Sequence, residues 1–206
     1  MDENSPLGRV KCGLRTGEEK LRKSGRDLKI SLLDFWRWSS SDLLSNTARG
    51  IFAEFVVAAA LGIPFEEIRD EWAPYDLETP EGIKVEVKSA AFIQSWHQTA
   101  ASKISFVAPK KRSWNPETNK LETEIRRHAD VYVFALLFEQ QSVPDPLNLD
   151  HWEFYVLPTA VLNARTESQR SINLRSLHAL SGGPVSYDRL KDAVKKADKM
   201  NTGEHS

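Results

Sequence analysis

The pattern of apolar and polar residues predicts a helix near residue 50. The segment TARGIFAEFVVAAALG, residues 47–62, is rich in alanine and other apolar residues. Ser45 and Asn46 precede it, and both residue types cap helix N-termini. Gly62 and then Pro64 supply a stop, because glycine adopts the left-handed conformation at helix ends and proline cannot continue a helix. We therefore predict a helix that begins after Ser45 or Asn46 and ends before Gly62.

Strands and further helices are predicted in the second half of the chain. Residues 131–138 form a nearly continuous apolar run, as expected for a strand that is buried on both faces. The order of elements predicts an α/β fold with a mixed β-sheet flanked by helices. The other predicted elements are a hairpin over residues 75–89, strands over 103–111 and 151–158, and helices over 159–165 and 188–199.

The hairpin sequence YDLETPEGIKVEVKS places charges along a strand. Residues 83–88 alternate between apolar and charged side chains, so the two kinds point to opposite faces of the sheet. Pro80 suits the second position of a type I turn, and Gly82 can adopt the left-handed conformation that closes a three-residue loop with a bulge. In that register Asp76 faces Glu86, whereas a two-residue loop would shift the pairing by one. We predict the register with the glycine bulge.

Two facing carboxylates require a counter-charge. Directly opposed residues have Cβ atoms about 4.5–5.5 Å apart, and like charges there destabilise the pair. Lys88 supplies part of the counter-charge for Asp76 and Glu86, and Mg²⁺ or Mn²⁺ would supply it better, because hard oxygen ligands suit these cations. The alternative is a solvated outer face held by Glu78–Lys84 and Glu86–Lys88 contacts.

Glu54 is the only charged residue between residues 50 and 64. A lone carboxylate on an apolar helix is costly to bury without a partner. It could occupy an exposed strip of the helix, but its helical neighbours there are apolar. A side chain that points towards Asp76 and Glu86 explains its presence more directly.

Length and composition predict one domain. The chain has 206 residues, of which 40% are hydrophobic and 28% charged, and its formal net charge is −1. We predict a flexible arm over residues 1–27, a domain over 28–198 and a frayed tail over 199–206. The single Cys12 allows no internal disulfide, and neither a secretory signal nor an apolar run long enough for a bilayer is visible. These features predict a cytoplasmic protein without a membrane partner.

Charge is distributed unevenly along the chain. Residues 66–86 contain eight acidic and two basic residues, whereas residues 88–127 contain eight basic and three acidic ones. Such runs can be solvated faces, but they also fit a basic surface for phosphates next to an acidic site for a cation. Trp96 and Trp114 lie near basic residues, as in proteins that bind single strands. The predicted nucleic-acid contacts are Lys103, Lys110, Lys111, Arg112, Arg126 and Arg127.

Other catalytic motifs are missing from the sequence. No two of the five histidines have metal-ligand spacing, so we predict structural or surface roles for them. The chain has no phosphate-binding loop, no G-x-G-x-x-G and no G-x-S-x-G.

The acidic residues and the lysine together resemble a known signature. Glu54 on a helix, then Asp76, then Glu86-Val87-Lys88 on the following strand resemble the PD-(D/E)xK nuclease superfamily, which has the restriction-endonuclease-like fold. The resemblance covers roughly residues 45–158. The sequence of residues 38–62 also resembles small bacterial proteins of this type. One departure is that the proline precedes Tyr75, giving PYD instead of PD.

The resemblance implies Mg²⁺- or Mn²⁺-dependent phosphodiester hydrolysis. It implies that Asp76 and Glu86, with the backbone carbonyl of Val87, hold the metal, and that Glu54 completes the coordination shell directly or through water. Lys88 is then expected to orient the attacking water or to stabilise charge in the transition state.

A glutamine follows the motif in many relatives, and the resemblance assigns Gln94 to that position. The sequence thus predicts a metal-dependent nuclease that acts on DNA. The alternatives are a non-catalytic nucleic-acid-binding module on the same fold, and a structural or protein-interaction domain. A homodimer is compatible with the need for two sites to cut both strands of a duplex.

Overall fold

The computed structural model describes residues 9–10, 12–140, 143–166 and 170–202. Two short 3₁₀ turns, Leu149–His151 and Tyr187–Arg189, connect some of its elements. The helices of the described ranges are α1 (Leu32–Ser40), α2 (Asn46–Leu61), α3 (Thr159–Ala164), α4 (Leu174–Ser181) and α5 (Leu190–Thr202). The strands are β1 (Lys20–Lys23), β2 (Arg26–Ser31), β3 (Leu77–Glu78), β4 (Lys84–Ala91), β5 (Ser105–Val107), β6 (Trp114–Asn115), β7 (Lys120–Leu121), β8 (Val131–Leu137), β9 (Trp152–Pro158) and β10 (Ser171–Asn173).

A four-stranded mixed sheet with the order β3-β4-β8-β9 forms the centre of the protein. Strands β4 and β8 are parallel, whereas β3 pairs with β4, and β9 with β8, in antiparallel fashion. All seven residues of β8 are buried, as their apolar run predicted. The predicted α/β fold with a mixed sheet flanked by helices is confirmed.

Helix α2 begins and ends where the capping residues predicted. The hydroxyl of Ser45 accepts a hydrogen bond from the N–H of Ala48, and Gly62 ends the helix with a φ of +73°. Ala53, Val57 and other apolar side chains of α2 pack against the sheet. This packing fixes the position of the helix that carries Glu54.

The two faces of the sheet pack against different layers. One face, which includes Val85 and Val87, contacts α2 and α5. The other face contacts β5, β10, α3 and α4, and its core includes Tyr132 and Phe134. Because side chains alternate along β4, Glu86 lies on this second face, beside Tyr132 in the neighbouring strand.

The 75–89 hairpin has the predicted register as far as its pairing extends. Glu78 pairs with Lys84, and Gly82 has a φ of +88°. The regular ladder stops after Leu77, so Asp76 is not a ladder partner of Glu86. A regular ladder would give the N–H of Val87 to a backbone carbonyl, but that N–H donates instead to the Asp76 carboxylate.

Several elements differ from the sequence predictions in extent. The predicted strand over 103–111 is reduced to β5, and the N-terminal part of the chain contains a hairpin, β1–β2, followed by α1. The predicted arm and tail lie partly outside the described residues, and within these residues β1 falls in the arm and α5 continues through Thr202. The domain boundaries therefore stay predictions. Among the described helices, none has the length and apolar composition that a membrane span requires.

Candidate active site

Asp76, Glu86 and Lys88 meet at the edge of the central sheet. Asp76 immediately precedes β3, and the other two residues lie on the same face of β4. The Nζ atom of Lys88 lies 2.7 Å from Oε1 of Glu86 and 3.9 Å from Oδ2 of Asp76. The structure therefore brings the two acids and the lysine together around one ammonium group.

The carboxylate of Asp76 is fixed and partly desolvated. Its Oδ2 accepts a hydrogen bond of 2.7 Å from the N–H of Val87. Burial, and next the negative charge of Glu86, raise the pKa of Asp76 to about 6, although Lys88 and the Val87 N–H act in the opposite direction. The Asp76 carboxyl is thus harder to ionise than that of a solvent-exposed aspartate.

Glu86 is only 4% exposed and has two lysine partners. In addition to Lys88, the Nζ atom of Lys111 lies 3.1 Å from Oε1 of Glu86. Lys111 is held there by two backbone hydrogen bonds with Arg126, of 3.0 and 3.2 Å. The predicted nucleic-acid contact Lys111 therefore reaches the acidic centre itself.

Tyr132 lines the inner side of this centre. Burial, and next the charge of Glu86, raise the pKa of its hydroxyl, so the phenol stays neutral at physiological pH.

The carboxylate of Glu54 contacts an arginine that the sequence analysis did not identify as its partner. Arg69 donates to both carboxylate oxygens of Glu54, with Nη2 at 3.1 Å from Oε1. The charge of Glu54 also contributes to the raised pKa of Asp76, so the pair lies near the acidic centre. The available signal was that Arg69 is one of only two basic residues in the acidic segment 66–86.

The donor chemistry of Asp76 and Glu86 fits a hydrated magnesium ion. Within the described part of the chain, no group of three or more His, Cys, Asp or Glu residues is arranged to hold a metal. Mg²⁺, however, keeps several waters and commonly takes only one or two protein carboxylates. A cation would also favour the ionised form of Asp76, against the burial and the charge of Glu86 that raise its pKa.

Gln94 lies in a separate cleft at the C-terminal end of β4, apart from Asp76, Glu86 and Lys88. Its Nε2 donates to the carbonyl of Ala91 at 2.8 Å, and its Oε1 accepts from Nη1 of Arg49 at 3.1 Å. Both ends of the amide are therefore engaged by the cleft wall. Lys103 and Trp96 line the same cleft, which has a volume of about 400 Å³.

The remaining predicted nucleic-acid contacts differ in accessibility. Lys110 and Arg112 are exposed on either side of Lys111. Arg126 pairs with Glu124 at 3.2 Å, and its side chain is partly exposed.

Arg127 is buried, so it does not present its charge at the surface. Its guanidinium donates to the carbonyl of Ala108 at 2.9 Å and to Oδ1 of Asn163 at 2.7 Å. These contacts tie the chain before β8 to its neighbours.

Trp114 and His128 have structural contacts in the described part of the chain. Trp114 packs edge-on against Trp72 with ring centroids 4.9 Å apart, and its Nε1 donates to Asn119. His128 is buried, and its Nε2 lies 3.1 Å from the carbonyl of Lys111.

Comparison with known families gives a match over most of the chain. The family model described as bacteriophage T4 endonuclease IV matches residues 18–176. The matched range includes the helix α2, the 75–89 hairpin and the central sheet, and it therefore spans the whole acidic centre. No curated protein matches the chain at a significant level.

Proposed function

The chain belongs to the bacteriophage T4 endonuclease IV family, a nuclease family, and on that premise we propose that it is a metal-dependent endonuclease that hydrolyses phosphodiester bonds in DNA. The observation that supports this proposal most directly is the ammonium group of Lys88, which contacts Glu86 and lies near Asp76. Two carboxylates and a lysine on neighbouring strands are the groups expected of a PD-(D/E)xK site, and we propose membership of that superfamily as well.

The proposal assigns Asp76 and Glu86 as the side chains that hold Mg²⁺ or Mn²⁺. When bound, the metal would polarise a phosphoryl oxygen and lower the pKa of a water molecule. We keep the carbonyl of Val87 as a proposed third ligand. Glu54 would act on the site through its charge, because Arg69 already occupies its carboxylate oxygens.

Lys88 is proposed to stabilise negative charge or to orient the attacking water. Its ammonium group is partly buried, so its interaction with a transition-state charge is stronger than in bulk water. Lys111 reaches the same carboxylate and would assist in neutralising the phosphate.

The substrate strand is proposed to bind along the basic surface that adjoins the acidic centre. Exposed Lys110 and Arg112 flank Lys111, and Arg126 lies on the strand-like segment paired with it. Cations at these positions would contact phosphates, so affinity should fall as salt rises. Buried Arg127 is not part of this proposed surface.

Cleavage of labelled single-stranded and duplex DNA, in Mg²⁺, in Mn²⁺ and in EDTA, tests the proposal. We expect cleavage only with metal, and we expect Asp76→Asn and Glu86→Gln to abolish it. Lys88→Gln should reduce the rate by about 100-fold or more, the typical cost of removing one transition-state donor. Glu81→Gln is the matched control, because this carboxylate lies in the hairpin turn and pairs with Lys195 at the surface.

Cleavage that continues in EDTA, or that is equal in all four variants, would contradict the proposal. A non-catalytic nucleic-acid-binding module would instead bind DNA without cutting it, equally well with and without Mg²⁺. A structural or protein-interaction domain would show no salt-dependent DNA binding. The homodimer stays a prediction, and analytical ultracentrifugation measures it.

A further inference from the structure

The cleft that contains Gln94 has a distinct position and lining. It lies between the first turn of α2 and the C-terminal half of β4, and it has a volume of about 400 Å³. Its walls include two cationic side chains, Arg49 and Lys103, and none of the described residues that line it is acidic. The cleft is therefore suited to an anion.

Arg49 is a buried cation that no described acidic residue pairs with. The residue is 3% exposed, and its guanidinium donates to the carbonyl of Leu44 and to the side-chain oxygens of Asn46, Ser89 and Gln94, at 2.7 to 3.3 Å. All four acceptors are neutral, and no carboxylate in the described part of the chain forms an ion pair with it. Burial desolvates the guanidinium of Arg49 and lowers its pKa.

A buried charge that is hydrogen-bonded but not neutralised is costly to keep. The cost falls when an anion binds beside it. Four of the five guanidinium N–H groups are used by the acceptors above, and the second N–H of Nη2 has no acceptor among the described residues. The N-terminal end of α2 adds partial positive charge on the same side, because α2 begins at Asn46.

The rim of the cleft carries a second cation and an aromatic surface. Lys103 is exposed, and so is the indole ring of Trp96. An exposed aromatic ring beside cations is the combination with which proteins bind single-stranded nucleic acid, through base stacking and phosphate contacts. The same cleft wall includes Ala90, which lies on the same face of β4 as Lys88, two positions along the strand.

We propose that this cleft binds a nucleotide of the substrate strand, with its phosphate at Arg49 and Lys103 and its base stacked on Trp96. The inference rests on the proposed nuclease function. Ser89 points to the opposite face of β4 from Lys88, but Ala90 also lines the cleft and lies on the face of Lys88, two positions along the strand, or about 7 Å at 3.3 Å per residue. A nucleic-acid strand with a rise of about 3.4 Å covers that distance in about two nucleotides. The cleft would therefore hold the substrate a few nucleotides from the cleaved bond.

Binding of a short fluorescein-labelled single-stranded oligodeoxynucleotide, followed by fluorescence anisotropy in EDTA, tests the proposal without cleavage. We expect Trp96→Ala to raise Kd by about 5-fold or more, the effect of losing one stacked base, and Trp96→Phe to retain most of the affinity. Lys103→Gln should weaken binding and reduce the slope of log K against log salt by about 0.7. These rim residues are chosen because a change at Arg49 would also disturb the loop before α2.

Two matched variants control for lost charge and lost aromatic surface. Lys196→Gln removes an exposed lysine from α5, and Trp38→Ala removes an indole of α1 that is 84% exposed. Both should bind the oligonucleotide as the wild type does.

The outcomes separate this inference from the proposed function. If Trp96→Ala and Lys103→Gln bind the oligonucleotide as well as the wild type does, the cleft is not a nucleotide site. That result would leave the proposed nuclease function, which depends on Asp76 and Glu86, untouched. If both variants bind weakly and yet no cleavage occurs with Mg²⁺, the cleft inference stands and the nuclease proposal fails. If the wild type binds no oligonucleotide, the cleft inference is refuted.

Discussion

Replacement of Asp76 with asparagine should stabilise the metal-free protein at neutral and alkaline pH. Burial and the charge of Glu86 raise the pKa of the Asp76 carboxyl from its ordinary value of 3.8 to about 6. In the unfolded chain the group has its ordinary value. Ionisation of Asp76 therefore costs more free energy in the folded state than in the unfolded state.

The sign and size of the effect follow from this difference in pKa. A carboxyl whose pKa is raised by folding favours the folded state below pH 3.8, and this contribution is lost as the pH rises through about 6. The difference between 3.8 and about 6 corresponds to about 3 kcal/mol of free energy. Asparagine keeps an oxygen that can accept the Val87 N–H, so the variant removes the charge and retains the hydrogen bond.

Urea denaturation in EDTA, at several pH values between about 4 and about 8, measures the difference. Asp76→Asn should exceed the wild type by only about 0.5 kcal/mol near pH 4 and by up to about 3 kcal/mol near pH 8. Asp27→Asn, at an exposed position of β2, controls for the loss of one negative charge. A difference between Asp76→Asn and wild type that does not change with pH would refute the assigned pKa and its cause.

Three further predictions concern the metal, the hairpin turn and the core. Mn²⁺ at 100 times its Kd should raise the unfolding free energy of the wild type by about 2.7 kcal/mol and leave that of Asp76→Asn almost unchanged. Equal stabilisation of both proteins would exclude Asp76 as a ligand. Gly82→Ala should lower the unfolding free energy by about 1–2 kcal/mol because φ is +88°, whereas Gly50→Ala in α2 should raise it by about 0.5–1 kcal/mol. Neither added Cβ meets an atom within 4 Å, so the difference comes from the backbone. Equal effects of the two substitutions in urea denaturation would contradict this explanation. Phe134→Ala should cost about 3–5 kcal/mol in the same assay, because the ring is fully buried; a cost below about 1 kcal/mol would mean that the core collapses around the gap.

The sequence alone determined the elements whose signals are local. Ser45 and Gly62 bound α2 because a capping hydroxyl and a left-handed glycine act within one helical turn. Gly82 fixed the hairpin register for the same reason, since a turn of a few residues decides which positions pair. The apolar run of β8 correctly predicted that the strand is buried on both faces.

Local patterns also explain one element that was missed. The strands β1 and β2 are exposed on nearly every residue, and no regular alternation of apolar and polar side chains therefore marks them. A periodic spacing of apolar residues indicates which side chains are buried. A hairpin that buries almost none of its side chains therefore shows little periodicity in its sequence.

Only the tertiary structure decided which charges meet from distant parts of the chain. The sequence placed Asp76, Glu86 and Lys88 on adjoining segments, and their short separation along one hairpin made the grouping visible. Lys111 reaches Glu86 from 25 positions away, and Arg69 reaches Glu54 from 15. Ion pairs between residues so far apart leave no period in the sequence, because they depend on how the sheet, its loops and α2 pack and on which buried carboxylates remain to be neutralised.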